Sequence, residues 1–406
     1  MFSLSRAGEV ARAAALVGSP IEFVVRDPVA RVWLGDRQFP FPGRFDSPLR
    51  LARLAWDVGI ARRDTLGTLR HLASLCRGAP DLAEDCPDDL RTWALRHTRN
   101  PGYHQLLNLL SFLAFVVPYD EAGAKEMARC FTRIIRAPGI GYPRGGCLAL
   151  VEGLVRGIER CGGHFRFGQR AEAIRIDGGR VRGATVDGRS LDADLVFCNA
   201  GVRGTVALAG TDVVGPELAR QAAALTDSMA GVMLRYRLDR PVIPDPVLFV
   251  MPSTPAERVC ELIRAGRLEE TGAGFYVTVP SNFDPALAPP GRQVVVAGTL
   301  APAEVAQVDR GREMLSSMER RLAELFPELP GAIIDRQLVD VTAVARASGR
   351  PGRGEAVGVA QTPAQTGPGR PHWQTAVRGL YMVGADTGGG AIGTELAAGS
   401  GLEAAE

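Results

Sequence analysis

The sequence predicts an α/β protein, and three observations carry that reading. An apolar run near the C-terminus, LYMVGA, leads into a glycine turn and then a helical stretch. In the middle of the chain, alternating runs are joined by Asp-Gly turns, a strong hairpin signal. The first 140 residues carry mainly helical periodicity. At 406 residues the chain can bury a large core and is expected to split into two domains.

Composition narrows the classes. With 46% apolar residues and 48 glycines, the chain reads as globular and rich in turns. A formal net charge of +2 is too small to favour nucleic acid, so no nucleic-acid partner is expected. Lys125 is the only lysine, which we read as codon bias. The seven cysteines are scattered with no CxxC pair, so reduced thiols in a cytoplasmic protein are expected, and no metal. The start, MFSLSRAGEVARAAALVG, lacks the layout of a signal peptide.

Along the chain, RVWLGDRQFPFP (31–42) reads as a short strand pair. PLRLARLAWDVGIARR (48–63) places Leu51, Leu54, Ala55, Val58 and the Trp56 flank near helical spacing, with Arg on the other face. That is a surface helix packed on the core or, on the sharper reading, an interfacial helix for lipid contact. LLNLLSFLAFVVP (106–118) is too short to span a bilayer. It is either a core helix or the wall of an apolar tunnel. GYPRGGCLALVEGLVRGIERCGG reads as a glycine-rich turn feeding a helix that ends near Cys161.

Strands are expected next at HFRF, AEAIRI, RVRGATV and LDADLVFCNAG, with turns at residues 177–179 and 187–188. Residues 231–340 mix strands (GVMLRYRL, VLFVM, GFYVTV, QVVVAGTL) with helices (AERVCELIRAG, REMLSSMERRLAELF). Residues 347–372 read as a long Gly/Pro-rich loop.

The tail carries Gly388-x-Gly390-x-x-Gly393, the spacing of a dinucleotide-binding turn. Such a turn needs a second strand whose end bears an acid about 20 residues on. Thirteen residues follow Gly393, so the ordinary dinucleotide reading fails. What remains is a strand, a turn that lets backbone approach a ligand closely, and a helix opening near Thr394. The partial positive charge of a helix N-terminus suits the pyrimidine oxygen of an isoalloxazine ring, where negative charge collects on reduction.

YPRGG (142–146), the hairpin block ending LVFCNAG, VPSNFDPALAPPG (279–291) and VGADTGGGAIGTELAAGSG (383–401) resemble the phytoene desaturase-like branch of the FAD-dependent amine oxidase superfamily. The resemblance runs in order across nearly the whole chain, and the tail is its most specific part. It implies an incomplete Rossmann-type FAD-binding domain interleaved with an α+β substrate domain. Residues 1–140 and 206–345 would build the substrate domain, and 141–205 and 346–406 the FAD domain. The implied cofactor is FAD, and the implied partner an apolar small-molecule substrate, a polyene or related lipid. Peripheral membrane contact follows from such a substrate.

By the same resemblance, the loop Gly384, Ala385, Asp386, Gly388, Gly389, Gly390 would run along the ribityl chain and flavin ring. Ile392, Gly393 and Thr394 would present backbone under the pyrimidine side. Asn199 and Ala200 would lie at a strand end near the cofactor. The adenine contact would fall at Ala171, where relatives carry Val. Many relatives place an acid directly after the residue matching Gly384. Here Ala385 stands there and the acid, Asp386, comes one later.

The family opens with a strand, a GxGxxG turn, a helix and a second strand ending in Glu, and the first 140 residues hold no such unit. RDPVARVWLGDRQFPFP matches the segment that follows it in relatives. Charge-assisted hydrogen bonds contribute about 1.5–3 kcal/mol each. Losing three or four would remove on the order of 5–10 kcal/mol of FAD affinity. Three explanations stand, in order: a start upstream of Met1, a second polypeptide supplying the ADP-binding unit, or a repurposed relative that binds lipid or a partner without flavin.

No catalytic residue is expected to stand out, because flavin carries the hydride. The five histidines (His71, His97, His104, His164, His372) form no HExxH, and no GxSxG elbow occurs. They read as surface or satisfied core residues. Asp194 and Asn199 flank a strand and read as cap and turn residues.

Overall fold

A seven-stranded sheet forms the larger apolar core of the computed structural model, which describes residues 8–44, 47–59, 64–265, 267, 274–303, 308–348 and 358–406. Its order is β13 (Ile333–Val339), β9 (Ala230–Leu238), β12 (Gln293–Ala301), β11 (Phe275–Thr278), β10 (Val247–Met251), β2 (Ala30–Leu34), β3 (Arg37–Phe41). Every pairing is antiparallel except β10 with β2. Early strands β2 and β3 thus extend a sheet whose other members lie some 200 residues on.

Burial alternates strictly along β9, as period-2 patterning requires of a strand with one covered face. Val232, Leu234, Tyr236 and Leu238 point inward and share a core with Met314, Leu315, Met318 and Leu322 of the helix Val308–Leu325. The Tyr236 hydroxyl donates to Glu319 Oε1 at 2.7 Å, so the one polar tip in that row is satisfied.

The smaller sheets are built locally. β5 (Ala171–Asp177), β6 (Arg180–Val186) and β7 (Arg189–Asp192) form an antiparallel meander closed by the two Asp-Gly turns. β8 (Val196–Cys198) and β14 (Leu380–Met382) make a two-stranded parallel pair. β1 (Phe23–Val25) pairs antiparallel with β4 (Gly141–Pro143).

Helices Thr65–Cys76, Leu90–Leu95, Pro101–Ala114 and Ala124–Arg136 form a second core around Trp93, Tyr103, Leu107, Phe131 and Ile392. Their starts obey capping chemistry. Asn100 accepts from Tyr103 N at 3.0 Å ahead of Pro101, and Asp89 accepts from Thr92 N at 2.7 Å. The helix Pro101–Ala114 is buried at every position from 103 to 109 and packs both on the helical core and, through Leu106 and Leu109, on a cluster with Phe41, Phe249 and Phe283, so it is a core helix over most of its length.

Several expectations need correction. HFRF forms no strand: residues 164–167 lie in a loop with Phe165 stacked on Phe167. LDADLVFCNAG is two strands in different sheets, because β7 closes the meander and β8 leaves it for β14. The helix expected over 48–63 covers Pro48–Asp57, and residues 60–63 lie outside the described residues, as do 349–357 of the expected long loop. Within it, Leu54 and Val58 are buried but Trp56 is 71% exposed. All seven cysteines are unpaired.

Two buried histidines depart from satisfied core residues: His104 Nε2 lies 3.0 Å from the Thr98 carbonyl oxygen but its Nδ1 has no partner, and His71 departs further. His71 is fully buried among Trp93, His97 and Tyr103; its Nδ1 lies 2.7 Å from the Tyr103 hydroxyl, and its Nε2 has no partner. Burial, reinforced by His97 and His104, lowers its pKa to about 3. The unfolded chain binds this proton near the ordinary histidine value of about 6.5, the folded chain does not, so stability falls as pH drops below that value. Between pH 7 and 5 the loss from His71 is about 2 kcal/mol. Urea unfolding of wild type and His71→Gln at both pH values checks this. The variant is expected to lose less stability on acidification by that amount, and parallel slopes would contradict it.

Candidate functional site

Two of the sequence blocks that looked distinctive meet in space. Gly145, with φ +76°, opens the helix Gly146–Arg160, and its N–H donates to Asp284 Oδ2 at 2.8 Å. Tyr142 stacks on Phe283 with ring centroids 5.1 Å apart. The N–H groups of Gly145 and Ala286 hold the Asp284 carboxyl below its ordinary pKa. YPRGG and VPSNFDPALAPPG are therefore two halves of one junction.

The tail forms a second locus. β14 runs into Gly384, whose φ of +120° suits glycine. Its N–H donates to Ser400 Oγ at 2.8 Å, and a Cβ there would collide with Asn199 Oδ1. Asn199, at the end of β8, is thus brought onto the turn, and half-buried Ala200 precedes the helix Gly201–Ala209. Gly388 (φ +85°) leaves 2.8 Å between a built Cβ and Ser400 Cβ. At Gly389 a Cβ would meet the Glu403 carboxylate, and at Gly390 it would lie 2.5 Å from Arg129 Cδ. These glycines are pressed against the protein.

Gly393 is different. Its φ is +53° and nothing lies within 4 Å of a built Cβ. The helix Gly393–Ala405 begins there, one residue before the expected Thr394. Ile392 is its extended N-cap and offers no side-chain acceptor, so the first-turn N–H groups retain their partial positive charge. Ile392 packs into the helical core while Thr394 is exposed. Glu395, in that first turn, turns inward and accepts from Val10 N at 3.2 Å.

Asp386 also points inward. It is 3% exposed and accepts from Val359 N at 3.2 Å, so it pins a neighbouring segment. Its neighbour Ala385 is half-buried. Ala171 sits exposed at the start of β5 opposite Val186, and the described contacts do not tie it to the turn.

Sequence reasoning missed Ser400, Arg129, Glu126, Arg370 and Glu403 around the turn. Ser400 lies two turns into the helix the glycine turn opens and folds back onto Gly384 and Gly388. Arg129, Glu126 and Arg370 had no local signal, because they arrive from distant segments, and Glu403 lies on the helix the turn opens without a motif to mark it.

FAD can be tested against this geometry. A glycine cradle closed on its protein side and open at Gly393, leading to an uncapped 13-residue helix, fits the pyrimidine side of a flavin ring. For the adenosine end the fit fails among the described residues 8–140. Their strands join the seven-stranded sheet or pair with β4, and none forms a parallel strand–turn–helix unit.

Residues 32–406 match the model of the flavin-containing amine oxidoreductases. The chain is 29% identical over 269 residues to a zeta-carotene-forming phytoene desaturase of Myxococcus xanthus, covering 61% of this chain and 49% of that protein. It is 29% identical over 355 residues to a lycopene-forming phytoene desaturase of a Paracoccus species, covering 84% of this chain and 69% of that one. The chain thus spans about half the length of the Myxococcus relative. An oxidoreductase structure from Methanosarcina mazei shares the fold, with TM-score 0.75 at 20% identity over 100% of this chain and 87% of its own. The chain belongs to the flavin-containing amine oxidoreductase family, whose phytoene desaturase-like members it resembles and whose cofactor is FAD.

Proposed function

We propose that this chain is the flavin-facing and substrate-facing part of an FAD-dependent oxidoreductase of desaturase or saturase type, acting on an apolar polyene or lipid-like substrate. The observation that carries it is the tail. Gly384, Gly388 and Gly390 are held from behind, and the backbone emerges uncapped at Gly393 and Thr394. With FAD bound, the chemistry supplied would be hydride transfer between a substrate C–H bond and the ring. The residues of this chain would bind and orient: first-turn N–H groups toward the pyrimidine edge, Asn199 and Ala200 beside the turn, Ala171 toward adenine. The names of the relatives support a carotenoid-type substrate.

The adenosine end requires a strand–turn–helix unit from outside residues 8–140, and a second polypeptide can supply it. β8 has the edge for such a unit. Its ladder to β14 uses Val196 and Cys198, leaving the Phe197 N–H and C=O on the outer side. Phe197 and Leu195 are 47% and 54% exposed. A two-stranded parallel sheet is marginal alone, since parallel sheets are normally covered on both faces. The outer side of β14 is already occupied, with Met382 N donating to Trp373 O at 2.7 Å.

Peripheral membrane contact is part of the same reading. The helix Pro48–Asp57 turns Leu49, Ala52, Arg53 and Trp56 outward at i, i+3, i+4 and i+7, an apolar stripe that carries one cation. Among the described residues no helix is long and apolar enough to cross a membrane.

Two outcomes are expected. In FAD titration read by flavin fluorescence, the chain quenches flavin and Gly393→Leu weakens binding at least ~100-fold, since the backbone there must touch the ring. Equal affinity would overturn the placement, and no binding by wild type even with the adenosine-binding unit supplied would leave a lipid- or partner-binding relative. In sedimentation with anionic vesicles, Leu49→Ser/Trp56→Ser is expected to lose about tenfold in partitioning, from ~25 cal/mol per Å² of apolar burial. Unchanged sedimentation would contradict a lipid-facing helix.

A further inference from the structure

A buried charge pair lies behind the glycine turn. The Arg370 side chain is 2% exposed and that of Glu126 is 1% exposed, with Arg370 Nη2 3.6 Å from Glu126 Oε1. Nη2 also donates to Gln361 Oε1 at 2.5 Å, and Nη1 donates to the carbonyl of Gly389. Glu126 Oε2 accepts from Arg129 Nη1 at 2.9 Å, and Arg129 is the side chain pressed against Gly390. From the solvent side, exposed Glu403 accepts from Gly389 N at 3.0 Å. The two peptide groups flanking Gly389 are therefore held from opposite directions, one through its carbonyl and one through its N–H.

Stability does not account for this arrangement. Burying two charges costs several kcal/mol per ion, and the attraction offsets that only when every donor is satisfied. Arg370 Nε is buried with no partner. An apolar filling would serve the core as well. What an apolar side chain cannot do is orient a carbonyl in a segment of three consecutive glycines, the stretch of chain with the widest conformational freedom. A guanidinium can, because its planar fork fixes several acceptors in one geometry.

We propose that Arg370, set by Glu126 and Gln361, is a positioning residue that locks the Gly389 peptide and so aims the backbone of Gly390 to Thr394 outward. Glu403 is the second arm of the same clamp. The flavin consequence rests on the function proposed above, but the clamp is present without ligand and can be tested without it.

The experiment is hydrogen exchange on the ligand-free chain, followed by FAD titration of the same samples. Arg370→Lys keeps the charge and loses the fork. Exchange across 384–394 is expected to speed up about tenfold or more, with the 230–238 strand unchanged. Glu403→Ala, at an exposed position, is expected to speed the same segment without lowering the melting temperature. FAD affinity is expected to fall about tenfold in Arg370→Lys and further in Arg370→Met, the graded response separating positioning from mere folding. Unchanged exchange across 384–394 in both Arg370→Lys and Glu403→Ala would overturn the clamp. Failure of wild type to bind FAD even with the adenosine-binding unit supplied would instead count against the flavin reading, with the exchange result still deciding the clamp.

Discussion

The account depends on one constraint: the tail backbone has no room behind it. Asn199, Ser400 and Arg129 occupy the volumes that side chains on Gly384, Gly388 and Gly390 would need. Gly384 and Gly388 need glycine on two counts, a left-handed backbone and a full protein side, while at Gly390 a side chain would have to displace Arg129. The open side of Gly393 and the uncapped helix that follows then become the place where the main chain can meet a flat, hydrogen-bonding group.

That constraint is assembled from distant parts of the chain. β8 and β14 bring Asn199 to the turn, and helix Ala124–Arg136 brings Arg129 and Glu126. Arg370 arrives from the segment before β14, and Ser400 and Glu403 from the helix the turn itself opens. The large antiparallel sheet and the helical core hold these pieces in place. Ile392 is the direct link, since the N-cap of the last helix packs into the same core as Trp93 and Phe131.

Much of this was legible in the sequence. The alternation of β9, the Asp-Gly meander and the glycine tail each declare themselves through local periodicity or turn chemistry, and the family resemblance follows from the motifs in order. The boundary inside LDADLVFCNAG was not legible, because both halves are extended and only the distant partner of β8 separates them. Nor was it legible that Asp386 is buried and accepts from Val359 N, a contact set by packing. The exposure of Trp56 and the charges behind the turn depend on neighbours that no local window contains.

The absence of a phosphate-binding strand–turn–helix among the described residues of 8–140 and the open edge of β8 concern the adenosine half of the cofactor. The floor of the flavin pocket is the separable claim. Hydrogen exchange with and without saturating FAD tests it most directly. The account predicts that FAD slows exchange at the amides of residues 390–395 while leaving the 171–192 meander turns unchanged. Bound FAD with no protection across 390–395 would contradict it.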